Sequence, residues 1–190
     1  GEAEMCGNGL RCVALIAVDA NIVEDAAFTI RSAVTDHPAT VLPDGIVRAF
    51  VGVPHAFRTE ELLVAGHSVR PVGVGNPHAV LFVDDIDEVS VEEIGSTIEG
   101  DAMFPDGSNV EFVEMDEGDR IRVRVWERGV GETRASGTGS AAAAFAARAA
   151  HELGDAITVV LPGGQLLIEF DSTGAWMTGP ASIVFRGAFD

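Results

Sequence analysis

Two spacings of apolar residues alternate along this chain. An apolar, alanine-rich run predicts a helix over 10–21. Strand-like runs follow over 27–34 and 40–50, the second broken by the turn Pro43-Asp44-Gly45. Further strands are predicted over 68–74, 79–83, 110–115 and 120–126, with a short helix over 91–98 and a Gly-, Asp- and Pro-rich loop over 100–108. A second alanine-rich helix is predicted over 140–153. It is followed by a strand over 156–161, the turn Pro162-Gly163-Gly164 and a strand over 165–170.

The order helix, strand, turn, strand therefore occurs twice, and each occurrence is introduced by a related motif. Gly1-Glu2-Ala3-Glu4-Met5-Cys6-Gly7-Asn8-Gly9 and Gly131-Glu132-Thr133-Arg134-Ala135-Ser136-Gly137-Thr138-Gly139 share Gly, Glu, a Cys or Ser, and Gly-x-Gly at identical spacing. About 60 strand-rich residues precede the second copy and none precede the first. If the halves are homologous, the front of the first half is expected to be missing.

Length and composition, 190 residues and 47% hydrophobic, fit a globular protein of one or two domains. A net charge of -18 argues against a nucleic-acid partner, because a phosphate backbone demands clustered positive charge. All 12 basic residues are arginine, a bias that fits either a high-salt habitat or a GC-rich coding sequence. No apolar run reaches the length of a membrane span, and the first residues lack a signal-peptide layout, so a cytoplasmic protein is expected. Cys6 and Cys12 form neither a disulfide framework nor a zinc ligand set, and no metal is expected. Cys12, inside the first helix among apolar residues, is expected in the core.

The motif itself carries chemistry. A glycine-rich turn that enters a helix presents unpaired backbone N–H groups and the positive end of the helix dipole, a natural seat for a carboxylate or phosphate. The same environment favours the thiolate of Cys6, which could then act as a base. Three other places set polar groups in apolar surroundings: Gly75-Asn76-Pro77-His78, Ser108-Asn109 and Glu127-Arg128-Gly129. An amide, an acid, a guanidinium and an imidazole around an anion-binding helix start suit the carboxylate and ammonium of an amino acid.

These segments resemble diaminopimelate epimerases. The resemblance rests on Glu4-Met5-Cys6-Gly7-Asn8-Gly9-Leu10-Arg11-Cys12, Gly75-Asn76-Pro77-His78, Asn109-Val110, 127–133 and Gly137-Thr138-Gly139, with Gly179-Pro180-Ala181 before the last strand, in order and in approximate register. It implies an α/β (α+β) fold of two pseudo-symmetric halves, each a β-barrel-like sheet around a central helix, with the site between them. Residues 1–68 would be the remainder of the first half, joined by a final strand near 182–186 within 182–190, and 69–181 the second half. It implies inversion at the α-carbon of diaminopimelate without pyridoxal phosphate, metal or other cofactor. A small-molecule partner and the dimers common in that family are implied too.

By the same resemblance, Cys6 is one of two acid–base groups and Ser136 stands where the family carries the second, a cysteine. His78 and Glu127 would poise the two groups. Asn76, Asn109, Glu127 and Arg128 would hold substrate, and Gly7, Asn8, Gly137 and Thr138 would supply N–H groups to the reacting carboxylate. A serine hydroxyl is a weak base unless a neighbour activates it. The readings this leaves open are an epimerase in which Glu127, His78 or a water assists Ser136, and a one-cysteine isomerase or hydroxyproline dehydratase-like enzyme of the same fold. A substitution made to trap a ligand and an inactive amino-acid-binding remnant complete the set.

Overall fold

A computed structural model describes residues 6–33, 35–58 and 61–188. Residues 1–5 of the first motif, Val34 at the end of a predicted strand and the last two residues lie outside that description. The chain order is α1 (Gly7–Asp19), β1 (Ala27–Arg31), β2 (Asp36–Val41), β3 (Ile46–Gly52), β4 (His55–Ala56), β5 (Leu62–Val64), β6 (His67–Gly73) and β7 (Pro77–Phe82). Then come α2 (Val91–Glu99), β8 (Asn109–Met115), β9 (Arg120–Glu127), β10 (Gly131–Thr133), α3 (Gly137–His151), β11 (Ala156–Leu161), β12 (Gly164–Asp171) and β13 (Gly174–Pro180).

The strands form one open, mixed sheet in the order β1-β2-β3-β13-β12-β11-β9-β8-β7-β6-β4, with β10 beside β9 and β5 beside β6. Two of its pairings are parallel, β7 with β8 and β9 with β11, and a helix makes each crossover: α2 for the first, α3 for the second. The two helices take opposite faces. Strand β8 shows this best, because Val110 and Phe112 pack with Val91 and Ile98 of α2, whereas Val113 joins the alanines of α3.

Helix α3 is the centre of the larger core. Ala141, Ala142, Ala143, Ala144 and Ala147 are fully buried, and α3 packs against β3, β6, β7, β8, β9, β11, β12 and β13. A helix apolar all round must be covered all round, and alanine's small side chain lets the sheet wrap it closely. Helix α1 buries one face, Leu10, Ala14 and Ala17, against β2 and β3. No helix among the described residues is long and apolar enough to cross a membrane.

Two expectations need correction. Residues 182–186 form no strand; the last strand is β13, which ends at Pro180 and runs antiparallel to both β12 and β3. Its glycines and terminal proline masked a regular alternation in which Ala175, Met177 and Gly179 point inward. Cys12 is exposed, because the buried face of α1 follows Leu10, Ala14 and Ala17 and Cys12 lies off it.

Candidate active site

From Cys6 and from Ser136 onward, the two motif copies fold alike. Cys6 caps α1 with φ -133 and ψ 105, and Ser136 caps α3 with φ -134 and ψ 126. Cys6 Sγ accepts from the Gly9 N–H at 3.3 Å, and Ser136 Oγ accepts from the Gly139 N–H at 3.2 Å. The Cys6 and Ser136 carbonyls take the N–H groups of Leu10 and Ser140. At each helix start this leaves two amides, of Gly7 and Asn8 and of Gly137 and Thr138, with no acceptor among the described residues.

The helix starts also touch. A Cβ added to Gly7 would lie 2.8 Å from the Gly137 Cα, and one added to Gly137 would lie 2.7 Å from the Gly7 Cα. Only two glycines allow that approach. Asn8 fastens the junction, donating from Nδ2 to the Ala135 carbonyl at 3.0 Å while Oδ1 accepts from Arg11 Nη2 at 3.0 Å. Arg11, 8% exposed, also donates to the Pro180 carbonyl and to Met177 Sδ, and burial pulls its guanidinium below the usual arginine range. Cys6 and Ser136 thus precede adjoining glycines at two positive helix ends, each with two amides that have no acceptor among the described residues.

A glycine-to-alanine change in a helix ordinarily stabilises, by up to about 1 kcal/mol. Gly137→Ala is expected to do the reverse, destabilising by about 3 kcal/mol as its methyl drives into the Gly7 backbone. Urea denaturation gives the answer, and an unchanged or raised midpoint would show that the helix starts do not abut.

The remaining candidates lie on β7, β8 and β9 and the turns that flank them. His78 is wholly buried at the beginning of β7, with Nδ1 2.7 Å from Glu111 Oε1 and Nε2 2.8 Å from Asn76 Oδ1. Parallel pairing sets His78 opposite Asn109 and Val80 opposite Glu111. Asn109 donates from Nδ2 to the Pro77 carbonyl and accepts at Oδ1 from the Arg128 N–H, both at 3.0 Å, so it ties two of the predicted segments together. Glu127, at the end of β9, accepts from Thr133 Oγ1 at 2.5 Å. Arg128 begins the turn into β10, its stem packed on Gly107 and its Nη1 donating to the Asp106 carbonyl. Helix α2 holds that turn in place, since Glu99 accepts from the Trp126 indole and from the Gly129 N–H.

Sequence reasoning passed over Glu111, Arg11 and Met177. Glu111 is fully buried, and burial pushes its carboxyl well above the usual range; the charge of Glu127 adds to this while His78 opposes it. A Cβ on Gly139 would lie 2.8 Å from Glu111 Oε1 and 3.0 Å from Ser136 Oγ, so both groups converge on the space that this glycine leaves open. The available signal was a charged residue two positions from Asn109, set among Val110, Phe112 and Val113. Arg11 and Met177 gave no signal, because they meet only when β13 passes beneath the two helix starts.

A family model described as diaminopimelate epimerase matches residues 71–184. A diaminopimelate epimerase of Bacillus cereus is 39% identical over 213 aligned positions, which span all of this chain and 74% of that protein. One from Erythrobacter litoralis is 43% identical over 204, spanning all of this chain and 73% of its own length. In structure, the chain is similar to a probable proline racemase of Agrobacterium radiobacter, with a TM-score of 0.74 at 16% identity, over 96% of this chain and 68% of the racemase. That likeness is one of fold. With the paired helix starts, the buried histidine and this sequence identity together, the chain belongs to the diaminopimelate epimerase family of isomerases.

Proposed function

We propose that the chain inverts the α-carbon of diaminopimelate, interconverting the LL and meso forms. The supporting observation is the pair of adjoining helix starts, which gives Cys6 and Ser136 one backbone conformation beside amides of Gly7, Asn8, Gly137 and Thr138 that have no acceptor among the described residues. In this reading the α-carboxylate lies on the amides of Gly7, Asn8, Gly137 and Thr138. They are aimed where negative charge grows as the α-carbon loses its proton, which makes the proton removable near neutral pH. Cys6, as thiolate, takes the proton and becomes the thiol. A proton then arrives on the opposite face from Ser136 Oγ, and the resulting alkoxide regains one through Glu127, His78 or a water. Asn76, Asn109, Glu127 and Arg128 hold the distal amino-acid centre or stand beside the reacting one.

Ser136 makes the two faces unequal. A hydroxyl is a far poorer acid–base group than a thiol, so exchange of the α-hydrogen at the Cys6 face outruns inversion. Incubation of LL- and meso-diaminopimelate in D2O, followed by NMR and chiral separation, is expected to show deuterium entering at the α-carbon with slower loss of configuration. No exchange with either stereoisomer would remove the proposal. The same serine favours a second reading, a one-cysteine enzyme acting on hydroxylated amino acids. Release of a keto acid or cyclic imine from 4-hydroxyproline would identify that activity.

A further inference from the structure

Glu111 has no part in the proton transfers above, yet it is the carboxylate most deeply placed behind the start of α3. Its side chain is 0% exposed, as is that of His78, and its Oε2 has no hydrogen-bond partner among the described residues. An ionised carboxylate buried with one bare oxygen is costly, whereas a carboxylic acid's carbonyl oxygen left bare costs far less. On the other side of His78, Nε2 meets the Asn76 side-chain oxygen at 2.8 Å. An amide oxygen only accepts, so Nε2 must carry a hydrogen. Nδ1 and Glu111 Oε1, 2.7 Å apart, then need one proton between them to make the buried pair neutral overall. The titratable groups acting on Glu111 are His78 on β7 and Glu127 on β9, and helix α3 faces it with Gly139.

With its oxygen engaged by His78, Asn76 has only its NH2 group left to offer. We propose that Glu111 is a positioning residue: by sharing one proton with His78 it keeps Nε2 protonated, and this turns Asn76 to present a donor to substrate. That subsite is thereby set for an acceptor, a carboxylate, and against an ammonium. Loss of the shared proton would leave a Glu111 carboxylate that draws the remaining imidazole hydrogen to Nδ1; Nε2 would then be a bare acceptor, and Asn76 would rotate to satisfy it, exposing its oxygen instead. The substrate part of this inference rests on Asn76 contacting diaminopimelate, whereas the proton's place does not.

The two parts are tested separately. Long-range 1H–15N correlation spectra of the unsubstituted full chain, labelled at histidine nitrogen, report which ring nitrogen of His78 is protonated. The expected result is an Nε2–H signal that persists from about pH 6 to 8, the range in which free histidine changes state. A His78 protonated only at Nδ1, or an Nε2 hydrogen lost across that range, overturns the proposal whether or not the chain turns over diaminopimelate. The second arm compares Glu111→Gln with Glu111→Leu in the α-hydrogen exchange reaction. Glutamine can still donate to Nδ1, as the shared proton does, and leucine cannot. Glu111→Leu is therefore expected to raise KM for diaminopimelate about tenfold above Glu111→Gln, the effect of one charge-assisted hydrogen bond, with kcat moving less. Equal KM values for two folded variants count against it. If leucine prevents folding, the spectrum of the unsubstituted chain decides.

Discussion

Cys6→Ala is expected to cut deuterium incorporation at the α-carbon of diaminopimelate by about 10³-fold, the range typical of a lost general base. Cys6 is exposed at the mouth of α1, so the substitution removes no core packing. It does remove the cap on the Gly9 N–H, a local loss of about 1 kcal/mol. Cys6→Ser separates the two effects. Ser136 shows that serine caps this turn in the same conformation, so the variant keeps the helix start and loses only the thiolate. Both variants should fold, shown by unchanged circular dichroism, and both should lose exchange. Exchange retained in Cys6→Ser at close to the original rate would transfer the base to another group and undo the assignment of Cys6.

Ser136→Cys is expected to raise the rate of inversion by about 10²-fold and to bring it level with α-hydrogen exchange. The argument is one of symmetry. The two capping positions share backbone angles, the same i to i+3 cap and adjoining glycines, so a thiol at 136 would meet surroundings like those of Cys6. Its environment differs in two respects: Ser136 is buried where Cys6 is exposed, and the Glu111 carboxyl lies beside Gly139. The rate is read by chiral chromatography against deuterium uptake under the same conditions. If the ratio of inversion to exchange does not move, Ser136 is not what limits the reaction, and the one-cysteine reading gains.

Much of the candidate site is legible in the sequence. The duplicated motif announced two equivalent helix starts because capping is local: a Cys or Ser followed by Gly-x-Gly accepts from the N–H three residues on in its own helix. Asn76, His78, Asn109, Glu127 and Arg128 stood out because each interrupts or ends a strand pattern. Glu111 did not, although it is fully buried beside His78. Strand β8 is covered by α3 on one face and by α2 on the other, so 109–113 is buried throughout and the usual in–out alternation disappears. Strand β13 was missed for a different reason. Glycines at its beginning and near its end imitate turn signals, and only its partners β12 and β3 make it a strand.

What the sequence determined alone was the kind of elements, their order, the repeat and the unequal pair Cys6 and Ser136. All of these follow from interactions between residues a few positions apart. Tertiary structure decided what those positions face. The contact of Gly7 with Gly137, Arg11 resting on Met177, and the Glu111–His78–Asn76 chain join residues from different strands and helices. No local spacing encodes such meetings, because they exist only once one sheet has wrapped α3 and carried β13 beneath both helix starts.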